Sequence, residues 1–271
     1  MSDAVLSLPR RPAAGRPAAA LARTLTDVPV MIARCVRLSR RNLDAVLTSL
    51  MLPILLMLLF VYLFGGAIAT GTSYVSYVVP GVLLLCTGFG AASTAVTVCQ
   101  DMTGGIVDRF RALDVPAPAF LAGHVVASLV RNAVSTILVL VVAFLIGFRP
   151  HAGPAAWLAA AGILLAFILA ISWLAAAAGL LTRSAEAANG VTFLVMFLPY
   201  PSSTFVPIHT MPAWLQGFAT NQPITPVVET LRGLLLGTPA GARPWHALAW
   251  SGGIMLASVA VSGAAFRHRT A

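Results

Sequence analysis

The residues able to do chemistry are few, and their spacing excludes most reactions. None of the 17 basic residues is a lysine. A Schiff-base lysine is therefore impossible, and so is the lysine that a P-loop sets against nucleotide phosphates. The histidines stand at 124, 151, 209, 246 and 268, without the spacing of a metal-ligand set. Cys35, Cys86 and Cys99 form no Cys-x-x-Cys pair, which leaves neither a zinc site nor a disulfide framework. Cys86 and Cys99 lie in apolar sequence and read as small hydrophobes. The apolar runs are almost free of acids, so no chain of carboxylates is available for a proton relay. No catalytic, cofactor or metal set is predicted, and the chain reads as a non-enzyme. What remains is arginines around the apolar runs and aromatic rings within them.

Composition says what kind of scaffold must carry those residues. The chain has 271 residues, 59% of them hydrophobic and 9% charged, with a mean hydropathy of +0.90. Soluble domains carry about 25% charge, so this sequence cannot clothe a water-facing globule. A spanning helix needs about 20 mostly apolar residues. Six runs qualify as spans: about 46–69, 74–98, 132–148, 157–181, 191–205 and 245–266. Within the third region, residues 121–131 contain His124 and Arg131 and are assigned to a cytoplasmic extension, where both side chains are expected to snorkel. Residues 1–25 read as a disordered tail without the apolar core of a signal peptide, and residues 26–271 as one transmembrane domain. The predicted fold class is an all-α integral membrane protein.

Arginine placement orients the spans. With both termini cytoplasmic, fourteen of the seventeen arginines fall inside and only Arg149, Arg232 and Arg243 outside, as the positive-inside rule requires. The net charge of +9 is thus a topology signal, and no nucleic-acid partner is predicted. Residues 28–43 place Val28, Met31, Ile32, Cys35, Val36, Leu38 and Leu43 on one helical arc and Arg34, Arg37, Arg40 and Arg41 on the other. That pattern predicts an amphipathic helix in the lipid interface.

Two loops carry more than connection. Residues 100–118 hold Asp101, Asp108, Asp114, Arg109 and Arg111, with a Gly104–Gly105 break and a short helix expected over 106–113. Its apolar members Ile106, Val107, Phe110 and Leu113 suit docking to a soluble partner. Residues 206–244 are cut by Pro207, Pro212, Pro223, Pro226 and Pro239, and short outer re-entrant helices are expected near 213–218 and 227–236. Glu229 and Arg232, three apart, are expected to pair with each other. An apolar pathway is assigned to Phe89, Trp173, Phe193, Phe197 and Tyr200.

The sequence resembles the permease subunits of type-2 ABC exporters, most closely the daunorubicin-resistance-like drug-efflux branch. The resemblance is carried by the basic stretch from Asn42 leading into LMLPILLMLLFVYLFGGAI, by YVVPGVLLLCTGFGAAST (77–94), and by GIVDRFRAL (105–113) with Leu121-Ala-Gly-His and Leu129-Val-Arg-Asn. It continues in FVPIHTMPAWLQGFATNQPITPVVETLR (205–232). It departs at Asp114, where the pattern leads one to expect proline or a neutral residue. The resemblance implies a six-span subunit in the bacterial cell membrane, paired with a second permease as homodimer or heterodimer. It also implies two copies of a separate ABC ATP-binding subunit that hold ATP and Mg, leaving this chain without a cofactor. Arg37, Arg41, Asp108, Arg109, Phe110, Arg111 and Leu113 would dock that subunit. The expected function is ATP-driven export of a hydrophobic drug, secondary metabolite or lipid by alternating access. A glycan-exporting permease of the same family and a secondary transporter are the alternatives, and a membrane-embedded enzyme lacks the residues.

Overall fold

The computed structural model describes residues 43–104, 117–239 and 241–270, with side chains described over 50–104, 120–239 and 241–265. The tail, the amphipathic helix and the 106–113 helix expected above lie outside the described residues. Among the described residues every regular element is a helix. In chain order these are α1 (Leu43–Leu59), α2 (Tyr74–Thr103), α3 (Ala117–Leu145), α4 (Pro154–Leu181), α5 (Ala185–Phe197), α6 (Ala213–Asn221), α7 (Ile224–Leu236) and α8 (Arg243–Thr270). A π turn, Phe60–Phe64, extends α1, and a 3-10 turn, Ile208–Thr210, precedes α6.

Among the described residues four helices are long and apolar enough to cross a membrane: Tyr74–Thr103, Phe120–Leu145, Pro154–Leu181 and Arg243–Ala265. Leu50–Phe64 and Ala185–Phe197 are shorter apolar helices. At about 1.5 Å per residue, the 13 residues of α5 cover about 20 Å, less than the roughly 30 Å hydrocarbon core. The helix of the third run is continuous from Ala117 to Leu145, and its apolar stretch begins at Phe120. This draws residues 121–131, expected as a cytoplasmic extension, into the same apolar helix.

Helix α2 is the hub, packed by α1, α3, α4, α5 and α7, while α8 lies on α4 and α7. In a bilayer, apolar burial does not itself drive helices together; close packing and polar contacts do. Small residues supply that closeness. A Cβ added at Gly179 of α4 would meet the backbone carbonyl of Ala95 on α2, and one at Gly90 of α2 would stand 2.5 Å from Asn132 Oδ1 of α3. Local signals fix the ends. Pro154 opens α4 with its preset φ. Ser184 caps α5 by accepting from Ala187 N at 3.2 Å. Gly237 closes α7 at φ +71°.

Because α5 is short, the chain turns back at residues 198–206 without regular structure, and Ser202, Ser203, Thr204 and Phe205 there are buried. Irregular backbone at such a depth must have its polar groups met inside the protein. Gln222 Nε2 donates to the carbonyls of Leu198 and Pro201, both at 3.0 Å. Tyr74 Oη donates to the carbonyl of Phe205 at 2.9 Å. Arg232 Nη2 donates to the carbonyl of Ser203 at 2.7 Å and to that of Tyr77 at 3.0 Å, with its guanidinium 3.6 Å over the Tyr77 ring.

Candidate functional site

The apolar residues singled out from sequence are partly brought together. Phe193 and Phe197, one helical turn apart on α5, have ring centroids 4.7 Å apart. Phe197 meets Tyr200 at 5.6 Å, and Tyr200 meets Phe205 at 5.5 Å. Phe205 stacks on Phe60 of the π turn at 4.1 Å, and Phe60 meets Phe64 at 5.4 Å. Six rings thus form one unbroken run from α5 through the 198–206 turn to the end of α1. Such spacings lie in or near the range where rings attract beyond simple burial.

The exposure of Phe193, Phe197, Tyr200 and Phe64 makes the run a candidate site, while Phe205 is buried within it. Phe193 and Phe197 are each 51% exposed, while Ala188 and Thr192 of the same helix are buried. Helix α5 packs on α2, with Met196 against Gly88, and presents Phe193 and Phe197 outward. Phe60, Phe64 and Phe205 were not anticipated, because nothing in the local pattern ties residue 60 to residue 205. Trp173 belongs elsewhere: it packs against the cluster of Val98, Phe120, Leu121, Val125, Ala176 and Leu180. Phe89, half-buried on α2, lies outside the run. The docking residues Arg37, Arg41, Asp108, Arg109, Phe110, Arg111 and Leu113 all lie outside the described residues.

Polar side chains tie α2, α3 and α4 together beside this surface. Arg131 stands fourteen residues from either end of α3 and donates to Thr94 Oγ1 at 2.6 Å and to the carbonyl of Gly90 at 2.9 Å. It is thus engaged between α2 and α3, midway along α3. Ser172 of α4 donates to Ser128 of α3 at 2.9 Å, and Asn132 Nδ2 donates to the Ser128 carbonyl at 2.9 Å. His124, buried under an edge-on Phe120, sits 3.2 Å from Asp101 Oδ2. The sequence signal for Arg131 was its place inside an apolar run, where an ionisable group points to a partner.

At the opposite end of the bundle a cavity of about 1180 Å³ opens between the 198–209 segment, α7 and the start of α8. Glu229 pairs there with Arg243 at 2.6 Å. The expected Glu229–Arg232 pair is replaced, because Arg232 is drawn to the two carbonyls described above. Burial holds the Arg232 guanidinium below its ordinary pKa.

Comparison with known proteins decides what this bundle belongs to. Residues 14–236 match the ABC-2 type transporter family. This chain belongs to that family. The match takes in the whole aromatic run and both α6 and α7. A daunorubicin resistance ABC transporter permease protein from Streptomyces coeruleorubidus is 31% identical over 236 residues, 86% of this chain and 81% of the relative. A probable doxorubicin resistance ABC transporter permease protein from Mycobacterium tuberculosis is 24% identical over 216 residues, 79% of this chain and 78% of that one. Family membership and the four long apolar helices together make the chain a multi-pass membrane protein of ABC-2 permease type.

Proposed function

We propose that this chain is the membrane subunit of an ATP-driven exporter that moves a hydrophobic drug, secondary metabolite or lipid out of the cytoplasm by alternating access. The observation that carries the reading is the aromatic run from Phe193 to Phe64, exposed at Phe193, Phe197, Tyr200 and Phe64, on a member of a family whose similar relatives are drug-resistance permeases. Rings stacked in series offer planar apolar molecules successive sites of similar strength, which suits passage better than one tight site. In this reading α1 and α5 complete a six-span subunit with both termini cytoplasmic. A second permease, identical or different, faces the run.

Separate ATP-binding subunits hold ATP and Mg, whose binding and hydrolysis supply the energy. They dock on Arg37 and Arg41 and on Asp108, Arg109, Phe110, Arg111 and Leu113. Each state of the cycle must make its own contacts with the partner, since coupling needs a difference between states.

Vesicles carrying this chain with its ATP-binding subunit are the test. ATP-dependent movement of a planar hydrophobic dye, slowed in Phe197→Ala and blocked when Arg109→Ala and Phe110→Ala together abolish subunit binding, is the expected result. Transport by the purified chain alone under a proton gradient would sink the ATP-driven reading. ATP-dependent movement of a lipid-linked glycan, with no movement of dye, would replace the substrate class.

A further inference from the structure

The cavity beside α7 is built for a ligand other than an apolar one. Its lining holds Arg232, Arg243, His209 and His246 against one carboxylate among the described residues, Glu229. That carboxylate is already paired with Arg243 at 2.6 Å. Arg232 uses Nε and Nη2 on the carbonyls of Tyr77 and Ser203, which leaves Nη1 without a carbonyl partner among the described residues at the cavity that this residue borders. A second observation is independent of the charges. Ser203, 2% exposed, is among the residues around the same cavity, and its buried hydroxyl has no hydrogen-bond partner among the described residues. A buried hydroxyl left unmet costs roughly 1–3 kcal/mol, so such an atom points to a ligand that meets it.

The level of the cavity selects the source of that ligand. Trp214 at 80% exposure, Trp245 at 74% and Trp250 at 43% surround this end of the bundle, and Trp250 lines the cavity itself. Exposed tryptophans gather where a bilayer meets water, at headgroup depth. Two arginines less one glutamate leave a net charge of +1, which a phosphodiester of charge −1 balances, and guanidinium groups are suited to phosphate oxygens.

We propose that this cavity holds the phosphate group of a phospholipid headgroup, contacted by Arg232, Arg243 and Ser203, with the acyl chains lying along the apolar flank of α8. The site is separate from the aromatic run and independent of what the permease carries. It holds whichever leaflet this end of the bundle faces.

The experiment uses the full chain purified in detergent, with three probes: phosphatidylglycerol, diacylglycerol and sodium phosphate. Native mass spectrometry counts retained lipid, and thermal melting reads protection. Phosphatidylglycerol is expected to be retained and to raise the melting temperature, while diacylglycerol and sodium phosphate do neither. Arg243→Gln, at the exposed rim, is expected to weaken phosphatidylglycerol about fivefold, and Glu229→Gln to strengthen it by about as much, since it removes the competing carboxylate. Equal retention of diacylglycerol, or equal effects of both variants, overturns the site. Full protection by sodium phosphate overturns the lipid assignment. Dye transport that fails while phosphatidylglycerol binding persists would count against the exporter reading and leave this one standing.

Discussion

The guanidinium of Arg131, midway along α3, donates to the hydroxyl of Thr94 on α2 at 2.6 Å. A second hydrogen bond reaches the Gly90 carbonyl one turn away. This charge is held between helices where a spanning protein tolerates charge only with a partner. Replacing Arg131 with Met is expected to cost about 1–2 kcal/mol, read as a lower melting temperature in detergent, with Arg131→Lys restoring part of the loss. An Arg131→Met protein that melts like the parent would show the clamp to be idle.

Two glycines of α4 separate packing from helix propensity. Gly179→Ala drives a methyl into the Ala95 backbone of α2, and overpacking of this kind costs about 1–3 kcal/mol. Gly162 meets nothing within 4 Å, so Gly162→Ala is expected to be neutral or stabilising by up to about 1 kcal/mol. Opposite shifts in melting temperature check the pair. Equal shifts would mean that α2 and α4 do not approach so closely.

Arg232 is expected to matter more than its distance from the aromatic run suggests. It donates to two carbonyls and lies over the Tyr77 ring. Charge-assisted hydrogen bonds contribute about 1.5–3 kcal/mol each to stability. Arg232→Gln should therefore loosen the 198–206 turn, seen as faster amide exchange there and a melting loss of at least about 2 kcal/mol. By contrast, Glu229→Gln removes a half-exposed pair with Arg243, worth about 0–1 kcal/mol, and should barely move the transition.

The aromatic run yields a contrast in transport. Phe197 is flanked by rings on both sides, at 4.7 and 5.6 Å, whereas Phe89 lies outside the run. Two ring contacts at about 0.5–1.5 kcal/mol each predict that Phe197→Ala slows ATP-dependent dye transport about tenfold. Phe89→Ala is expected to stay within about twofold of the parent. Equal losses in both variants would remove the special status of the run.

Much of the architecture was legible in the residues. Apolar runs separated by Pro, Gly and Arg breaks can bury their backbone polar groups in a bilayer only as helices, and the observed elements are helices. The short pieces expected near 213–218 and 227–236 are present as α6 and α7, because each begins beside a proline and each is too short to span. The absence of lysine excluded P-loop chemistry from this chain before any fold was known.

Partner choice was not legible. Helices apolar on every side carry no stripe to say which face meets which neighbour, so the hub position of α2 emerged only from packing. Phe60 and Phe205 stand 145 residues apart, and Arg232 lies 155 residues from Tyr77. Glu229 and Arg232 had the right spacing to pair, yet the carbonyls of the buried residues Ser203 and Tyr77 hold Arg232 and leave Glu229 to Arg243. Arg131 was expected near a boundary from its place in the sequence, and only the fold showed that a carbonyl and a hydroxyl of α2 meet its charge. Residue types therefore determined that the chain is a helical membrane protein without a P-loop lysine. The tertiary structure decided where its rings align and which buried charges are met, because both depend on contacts between residues distant in the chain.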